Sequence, residues 1–168
     1  MDSTLKLYKA LIWLTLYGAA LHFFDNYYFF DQYPEPAWLR AEITAALWIP
    51  LALLAHRAVD YIDAGKIERS YSLVHGFVLG NWISLGHYLF ASPATILPRI
   101  NFAIVVQVGL ATVLLAVTLW IQFTRYPDSL RWSRRAWVKN VAMYAVAIVV
   151  LELIWPSRFD SWWMWWSR

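Results

Sequence analysis

The sequence predicts an all-α integral membrane protein that folds as a bundle of five transmembrane helices. Composition is the first observation: 61% of the 168 residues are hydrophobic and only 15% are charged, a balance typical of membrane helices and not of a soluble domain. The second is a series of five apolar segments, each near the ~20 residues that a helix needs to cross a bilayer core. The third observation is that prolines, a glycine and clusters of charged residues, all of which interrupt helices, separate these segments.

Each apolar segment predicts one helix, because a helix satisfies its own backbone groups, as the bilayer core requires. The first helix ends at a turn that contains Pro34 and Pro36, neither of which can continue it. A charged loop at 60–69 follows the second helix, Pro98 lies in the third connection and Pro127 in the fourth. The five predicted helices are 5–28, 37–56, 71–91, 102–123 and 137–155.

These helices are expected to form one domain, in which an extra helix at 137–155 joins a four-helix core at 5–124. The tail at 156–168 is too short to span a bilayer, and its tryptophans suit an anchor at headgroup level. A basic start followed by an apolar run also fits a cleaved signal peptide, but the polar residues after that run favour a retained helix. The chain has no cysteine, which excludes disulfides and cysteine-based metal or nucleophilic sites.

Basic residues predict the orientation of the bundle. Loops on the side of the N-terminus carry ten of the 14 lysines and arginines, and loops on the other side carry four. The positive-inside rule therefore places the N-terminus in the cytoplasm and, with five spans, the C-terminus outside or in a lumen. Because these residues lie at helix ends and form no basic patch, nucleic acid is not an expected partner.

Polar side chains concentrate in the half of the bundle away from the predicted cytoplasmic face. His22, Asp25 and Asn26 share one face of the first helix, since positions i, i+3 and i+4 are neighbours, and Glu42 opens the second helix. Ionisable groups at bilayer depth are costly and usually face a cavity or a partner. A simpler alternative is that they pin one helix to another or, for Glu42 and His87, reach the headgroups. Three more polar residues lie in the same half: Thr44, Asn81 and Gln107.

Three stretches carry a family resemblance: Leu21-His22-Phe-Phe-Asp25-Asn26, Glu42-Ile-Thr-Ala-Ala-Leu-Trp48-Ile-Pro50 and Tyr71-Ser-Leu-Val-His75. Together they resemble the EXPERA membrane domain, the family of the emopamil-binding protein and the sigma-2 receptor. The resemblance spans about residues 11–123, which is four helices. Two family glutamates fall on Asn26 and Ala41, each one position from an acidic residue here, and one position turns a side chain by about 100° around a helix.

The resemblance implies an enzyme that shifts a carbon–carbon double bond in a sterol, an isoprenoid or a similar polycyclic lipid, without metal or cofactor. A carboxylic acid protonates the alkene, and a second group removes a proton from the neighbouring carbon; burial keeps such an acid protonated near neutral pH. The expected catalytic residues are the acid–base pair Asp25 and Glu42, with His22 as proton shuttle or orienter. The expected ligand-binding residues are Asn26, Tyr28, Thr44, Trp48, Asn81, His87 and Gln107.

Two other functions stay open at this point. A non-catalytic receptor or carrier for a hydrophobic or cationic amphiphilic ligand would use Asp25 or Glu42 as its counter-ion. A haem, metal or proton-handling protein would use His22 and His87, although the four histidines of the chain form no His-x-x-x-His pair of the kind that binds dinuclear metal. In each case the expected partners are the bilayer and a hydrophobic small molecule or lipid. Whether the chain forms a homodimer is left open.

Overall fold

The computed structural model describes residues 3–36, 39–129, 134–135, 137–143 and 145–146. Most of these residues are helical and none of them lies in a strand, which confirms the all-α fold class. The helices are α1 (Ser3–Tyr28), α2 (Ala41–Ala46), α3 (Trp48–Asp63), α4 (Ile67–Trp82), α5 (His87–Phe90) and α6 (Pro98–Arg125), with 3-10 turns at Phe30–Gln32 and Ile83–Gly86.

Three helical stretches are long and apolar enough to cross a membrane. They are Ser3–Tyr28, Ala41–Asp63, which comprises α2 and α3, and Pro98–Arg125. Large hydrophobic side chains such as Leu21 and Phe102 remain exposed on them, as expected for helices that face lipid. Length and composition therefore support a membrane protein with an α-helical bundle.

The second predicted helix, 37–56, differs from the structure at both ends and in the middle. It begins at Ala41 and is interrupted at Leu47. Pro50 has no amide hydrogen to donate to the carbonyl of Ala46, and its ring crowds that carbonyl. It then runs on to Asp63, whose carboxylate accepts a 2.6 Å hydrogen bond from Nζ of Lys9 on α1. Asp60 and Asp63, which hydropathy assigned to a loop, are therefore part of α3.

A glycine ends α3. Gly65 has a φ of 71°, in the left-handed region where other residues are strained. The amide of Lys66 donates to the carbonyl of Tyr61 and the amide of Gly65 donates to the carbonyl of Ile62, which together make a Schellman motif. The connection to α4 is consequently short, and α3 and α4 pack as antiparallel neighbours.

The third predicted helix, 71–91, is a broken helix. It begins at Ile67, ends as α4 at Trp82, and continues through the turn Ile83–Gly86 into α5. At the break, the Asn81 side chain donates to the carbonyl of Phe77 at 2.8 Å, and such bonds compete with the regular helical ladder. The break places Ser84 and His87 inside the bundle, where both are buried.

The core lies where α1, α3, α4 and α6 meet. Apolar side chains such as Ile12, Val74, Phe77 and Leu114 are fully buried there. A second, smaller apolar cluster contains Tyr33, Ile96, Ile100 and Ile104. It lies at the end of the bundle at which α1 ends and α6 begins, which we call the distal end.

The extra helix predicted at 137–155 is only partly within the described residues. Residues 137–143 are helical, and the Asn140 side chain donates to the carbonyl of Ser72 on α4 at 3.2 Å. The Trp137 ring lies 5.5 Å from that of His75, so this segment packs beside α4. Residues 147–155 and the predicted interfacial tail at 156–168 lie outside the described part of the chain.

Candidate functional site

A chain of buried polar side chains crosses the bundle near its distal end. Nδ1 of His22 on α1 donates to Oε1 of Gln107 on α6, and Oγ of Ser84 donates to the same oxygen at 2.8 Å. Nε2 of Gln107 donates to Oδ1 of Asn81 on α4 at 3.0 Å. All four side chains are buried. The structure therefore joins residues from three helices that the sequence analysis had selected separately.

A backbone carbonyl determines which atom donates at each step of this chain. The oxygen of Phe77 can only accept, so Asn81 presents its NH2 group to it and its oxygen to Gln107. Gln107 must then use its NH2 group for Asn81 and its oxygen for His22. Because that oxygen can only accept, Nδ1 of His22 carries the proton.

The remaining ring nitrogen of His22 is therefore the basic one. In the neutral ring, Nε2 holds the lone pair, and among the described residues it has no hydrogen-bond partner although it is buried. A buried, unsatisfied acceptor is unfavourable, and such a group in a membrane protein usually serves a function. The network thus leaves Nε2 of His22 without a partner and able to accept a proton.

Glu35 is linked to this base through His87, and it was not among the residues predicted from the sequence. It lies in the connection between α1 and α2, which folds back over the distal end so that the Glu35 side chain is only 9% exposed. Nδ2 of Asn26 donates to its Oε1 at 2.5 Å. Burial raises the pKa of Glu35 to about 7, and the bond from Asn26 opposes that shift. Near neutral pH this carboxyl group is divided between its acid and its anion.

His87 lies next to both Glu35 and His22, and the Tyr33 ring lies next to the two histidines. Nδ1 of His87 lies 3.6 Å from Oε1 of Glu35, and the centroid of the His87 ring lies 5.2 Å from that of His22. The Tyr33 ring lies 5.7 Å from the His22 ring and 5.4 Å from the His87 ring. An acid, a base, a second imidazole and an aromatic face are thus neighbours at the distal end. We call Glu35, His22, His87 and Tyr33 the distal cluster.

Asp25 lies outside the distal cluster and helps to hold the loop that covers it. The hydroxyl of Tyr33 donates to its Oδ2 at 2.6 Å, and Nε of Arg99 on α6 lies 3.2 Å from the same oxygen. Burial and the bond to Asp25 raise the pKa of the Tyr33 phenol. Arg99 also donates to Gln32 at 3.1 Å and covers the Phe29 ring at 3.9 Å. This one arginine therefore ties α6 to the last turns of α1 and to the first part of the loop.

The structure does not bring the other four predicted residues into the distal cluster. Glu42 is exposed in the first turn of α2, and Tyr28 is 74% exposed. Thr44 is buried but donates to the carbonyl of Arg40 at 3.1 Å. Trp48 packs against Phe24, with ring centroids 6.4 Å apart. The predicted acid–base pair of Asp25 and Glu42 is thus not assembled in this conformation.

The signal for Glu35 was present but was interpreted as a turn. An acidic residue between Pro34 and Pro36 is ordinarily a solvated loop residue. Glu35 differs from an ordinary loop residue because the connection between α1 and α2 is short, and this holds Glu35 near the last turns of α1. In the part of the chain that the structure describes, no three His, Asp or Glu side chains form a candidate metal site.

Comparison with protein-family models, with curated proteins and with solved structures finds no match for this chain. The resemblance to the EXPERA domain therefore remains a prediction from three short stretches.

Proposed function

We propose that this protein is a multi-pass membrane enzyme that shifts a carbon–carbon double bond in an apolar polycyclic or isoprenoid lipid. The observation that supports this best is that a carboxyl group that is partly protonated near neutral pH and an imidazole with an unpaired ring nitrogen lie in one cluster, linked through His87. A double-bond shift needs both at once, an acid on one side of the alkene and a base on the other. Glu35 is the proposed acid and His22 is the proposed base.

The proposed reaction is balanced without any redox step. Glu35 gives its proton to one alkene carbon, and the neighbouring carbon becomes a carbocation. Nε2 of His22 then removes a proton from the next carbon, and the electrons of that C–H bond form the new double bond. Glu35 is left as a carboxylate and His22 as an imidazolium. His87, placed between the two, returns the proton and resets the site.

Two features of the cluster suit the cationic intermediate. The Tyr33 ring presents the nearest aromatic face, and aromatic faces stabilise cations. The newly formed Glu35 carboxylate lies close by and stabilises the same charge. Both effects are stronger in a buried, water-poor site than in solution. Because the cluster is buried, a lipid substrate enters only when the loop that carries Glu35 moves aside.

This proposal assigns new roles to two predicted catalytic residues. Asp25 acts through Tyr33 and Arg99 and positions the loop, and the exposed Glu42 has no part in the proton transfer. The proposed orientation keeps the N-terminus in the cytoplasm, because most basic loop residues are on that side. The distal cluster then lies in the non-cytoplasmic half of the membrane.

Deuterium incorporation tests this function. The purified protein is incubated with a sterol-type alkene in deuterated water, and the expected product is an isomer with one new carbon-bound deuterium. Glu35→Gln should lower the rate by roughly 10² to 10⁴, the usual contribution of a general acid. Asp31→Asn is the matched control, because Asp31 is an exposed acid in the same loop, and it should leave the rate unchanged. Absence of labelled isomer across a panel of such alkenes would contradict the proposal.

A second candidate, a proton-handling protein, is favoured by the continuity of the polar chain. Glu35, His87, His22 and Gln107 run from the loop to the interior of the bundle, and such chains carry protons in membrane transporters. Liposomes that hold a trapped pH dye distinguish the two functions. Protein-dependent proton flux that Glu35→Gln abolishes, without isomerisation of any alkene, would replace the first function by this one.

A further inference from the structure

A groove on the surface between α1 and α3 is separate from the distal cluster. It has a volume of about 510 Å³ and is lined by Trp13, Leu16, Tyr17, Trp48 and His56. Volumes of several hundred Å³ are typical of small-molecule sites. His22 lies nine positions further along α1 than Trp13, or about 13 Å along the helix axis.

The groove runs from the edge of the predicted membrane span toward its interior, because His56 lies beside the exposed Arg57 and Trp48 lies about 12 Å deeper by helical rise. The ion pair of Lys9 and Asp63 marks the end of the bundle opposite the distal cluster. Trp13 lies one helical turn deeper than Lys9, and His56 lies about 10 Å deeper than Asp63 by helical rise. Both belong to helices that are long and apolar enough to span the bilayer. The His56 end of the groove is therefore near headgroup level, and the Trp48 end is deeper in the span.

His56 is the unexpected residue in this groove. Its Nδ1 lies 2.8 Å from the carbonyl of Ala52, which can only accept, so Nδ1 carries the proton and Nε2 of the neutral ring is an acceptor. Among the described residues none is placed to donate to Nε2, and the side chain is exposed. The ring centroids of His56 and Trp13 lie 4.6 Å apart with an interplanar angle of 83°, a contact that holds the orientation of the imidazole. The groove therefore presents a hydrogen-bond acceptor at its headgroup end and aromatic rings below it.

We propose that this groove binds a lipid alcohol with a flat, rigid ring system. The hydroxyl donates to Nε2 of His56, and the rings lie against Trp13, Tyr17 and Trp48. Flat rings suit this surface because three of its five lining side chains are aromatic and aromatic walls favour stacked contact over flexible chains. An acyl chain would fill the volume but would not use the acceptor that His56 presents. The site does not depend on the proposed isomerase activity.

Photo-crosslinking tests the proposal with the full-length protein in phosphatidylcholine liposomes. The probe is a cholesterol analogue that carries a diazirine and an alkyne, and a second probe has its hydroxyl converted to a methyl ether. We expect labelled peptides to contain residues 13–17 or 48–56. The ether should label about fivefold less than the alcohol, the effect of one lost hydrogen bond.

Two variants separate this site from general contact with lipid. His56→Phe keeps a ring against Trp13 but removes the acceptor, so it should lower labelling by the alcohol about fivefold and abolish the difference between the two probes. Trp120→Phe is the matched control, because Trp120 is 53% exposed on α6 and does not line the groove. It should change nothing. Labelling that is uniform over the lipid-facing helices, or insensitive to His56→Phe, would overturn the proposal.

A second copy of the chain is the competing occupant. Because the chain has no cysteine, Tyr17→Cys introduces a single thiol at the groove. Under oxidation in liposomes we expect the protein to stay monomeric, since lipid covers this face. Efficient formation of a disulfide-linked dimer would show that protein fills the groove and would overturn the lipid site.

Discussion

Gln107 accepts a hydrogen bond from Nδ1 of His22, although the two residues are 85 positions apart in the sequence. This contact joins α6 to α1 inside the bundle and determines the tautomer of the imidazole. Because the Gln107 amide is itself oriented by Asn81, the state of His22 depends on three helices at once. A surface histidine would have no such constraint.

Removal of this amide should destabilise the bundle. Gln107→Met keeps the length of the side chain but leaves His22, Ser84 and Asn81 without their shared partner, so the free energy of unfolding should fall by about 2 kcal/mol. Thr124→Val is the control on the same helix, because within the described part of the chain the exposed Thr124 hydroxyl bonds only to the Trp120 carbonyl, and its effect should be within about 0.5 kcal/mol. Unfolding in mixed detergent micelles measures both. Equal effects would mean that the polar chain adds no stability.

Glu35 should make stability depend on pH. Burial raises its pKa from 4.5 to about 7, so between these values the folded protein holds a proton that the unfolded chain has released. Stability should therefore fall as the pH rises from 4.5 to about 7, by up to about 3 kcal/mol, and then level off. Subtracting the profile of Glu35→Gln removes the contribution of all other groups. A difference profile that is flat, or that rises with pH, would show that the carboxyl is not buried in the fold.

Arg99 should keep the loop at Phe29–Glu35 closed. Arg99→Met removes its contacts with Asp25, Gln32 and the Phe29 ring, so amide exchange in this loop should accelerate about tenfold, as local opening becomes easier. Arg57→Met is the control, since the 3.9 Å pair of Arg57 with Asp60 is exposed and such pairs contribute little. Hydrogen exchange with mass spectrometry measures both. A loop that exchanges equally fast in all three proteins would contradict this role.

A comparison of two carboxyl groups separates the structural proposal from the sequence prediction. If Glu35 is the acid, Glu35→Gln should lower deuterium incorporation at least tenfold more than Glu42→Gln, since loss of a general acid costs 10² or more. The affinity of each variant for the sterol-type alkene distinguishes a loss of chemistry from a loss of binding. The opposite ranking would restore the pair of Asp25 and Glu42, and with it a conformation other than the one described.

The positions of the helices followed from hydropathy, but their interruptions depended on local chemistry. The first and fourth predicted helices match α1 and α6 closely, because their apolar windows are long and end at prolines. The third broke at Trp82, where the Asn81 side chain bonds to the backbone. The second extended to Asp63 because an ion pair with Lys9 holds a charged turn in helical form. Neither contact is visible in a hydropathy profile.

The candidate site was predictable in part. His22, Asn26, Asn81, His87 and Gln107 were selected as polar groups at a common depth, and the structure places all five near the distal end. Depth follows from position along a helix, which the sequence contains. Rotation about the helix axis and the path of a connecting loop do not, and these determined that Glu42 faces outward and that Asp25 pairs with Arg99.

By itself, the sequence determined that the chain forms long apolar helices, and that their polar residues gather toward one end. Composition and spacing decide these properties because each helix satisfies its own backbone and meets hydrocarbon along its length. Only the tertiary structure decided which carboxyl group, that of Glu35, lies in the same cluster as the His22 imidazole. That choice depends on a loop that folds back across the bundle and on side-chain contacts between helices far apart in the chain. Such contacts exist only after the helices have packed.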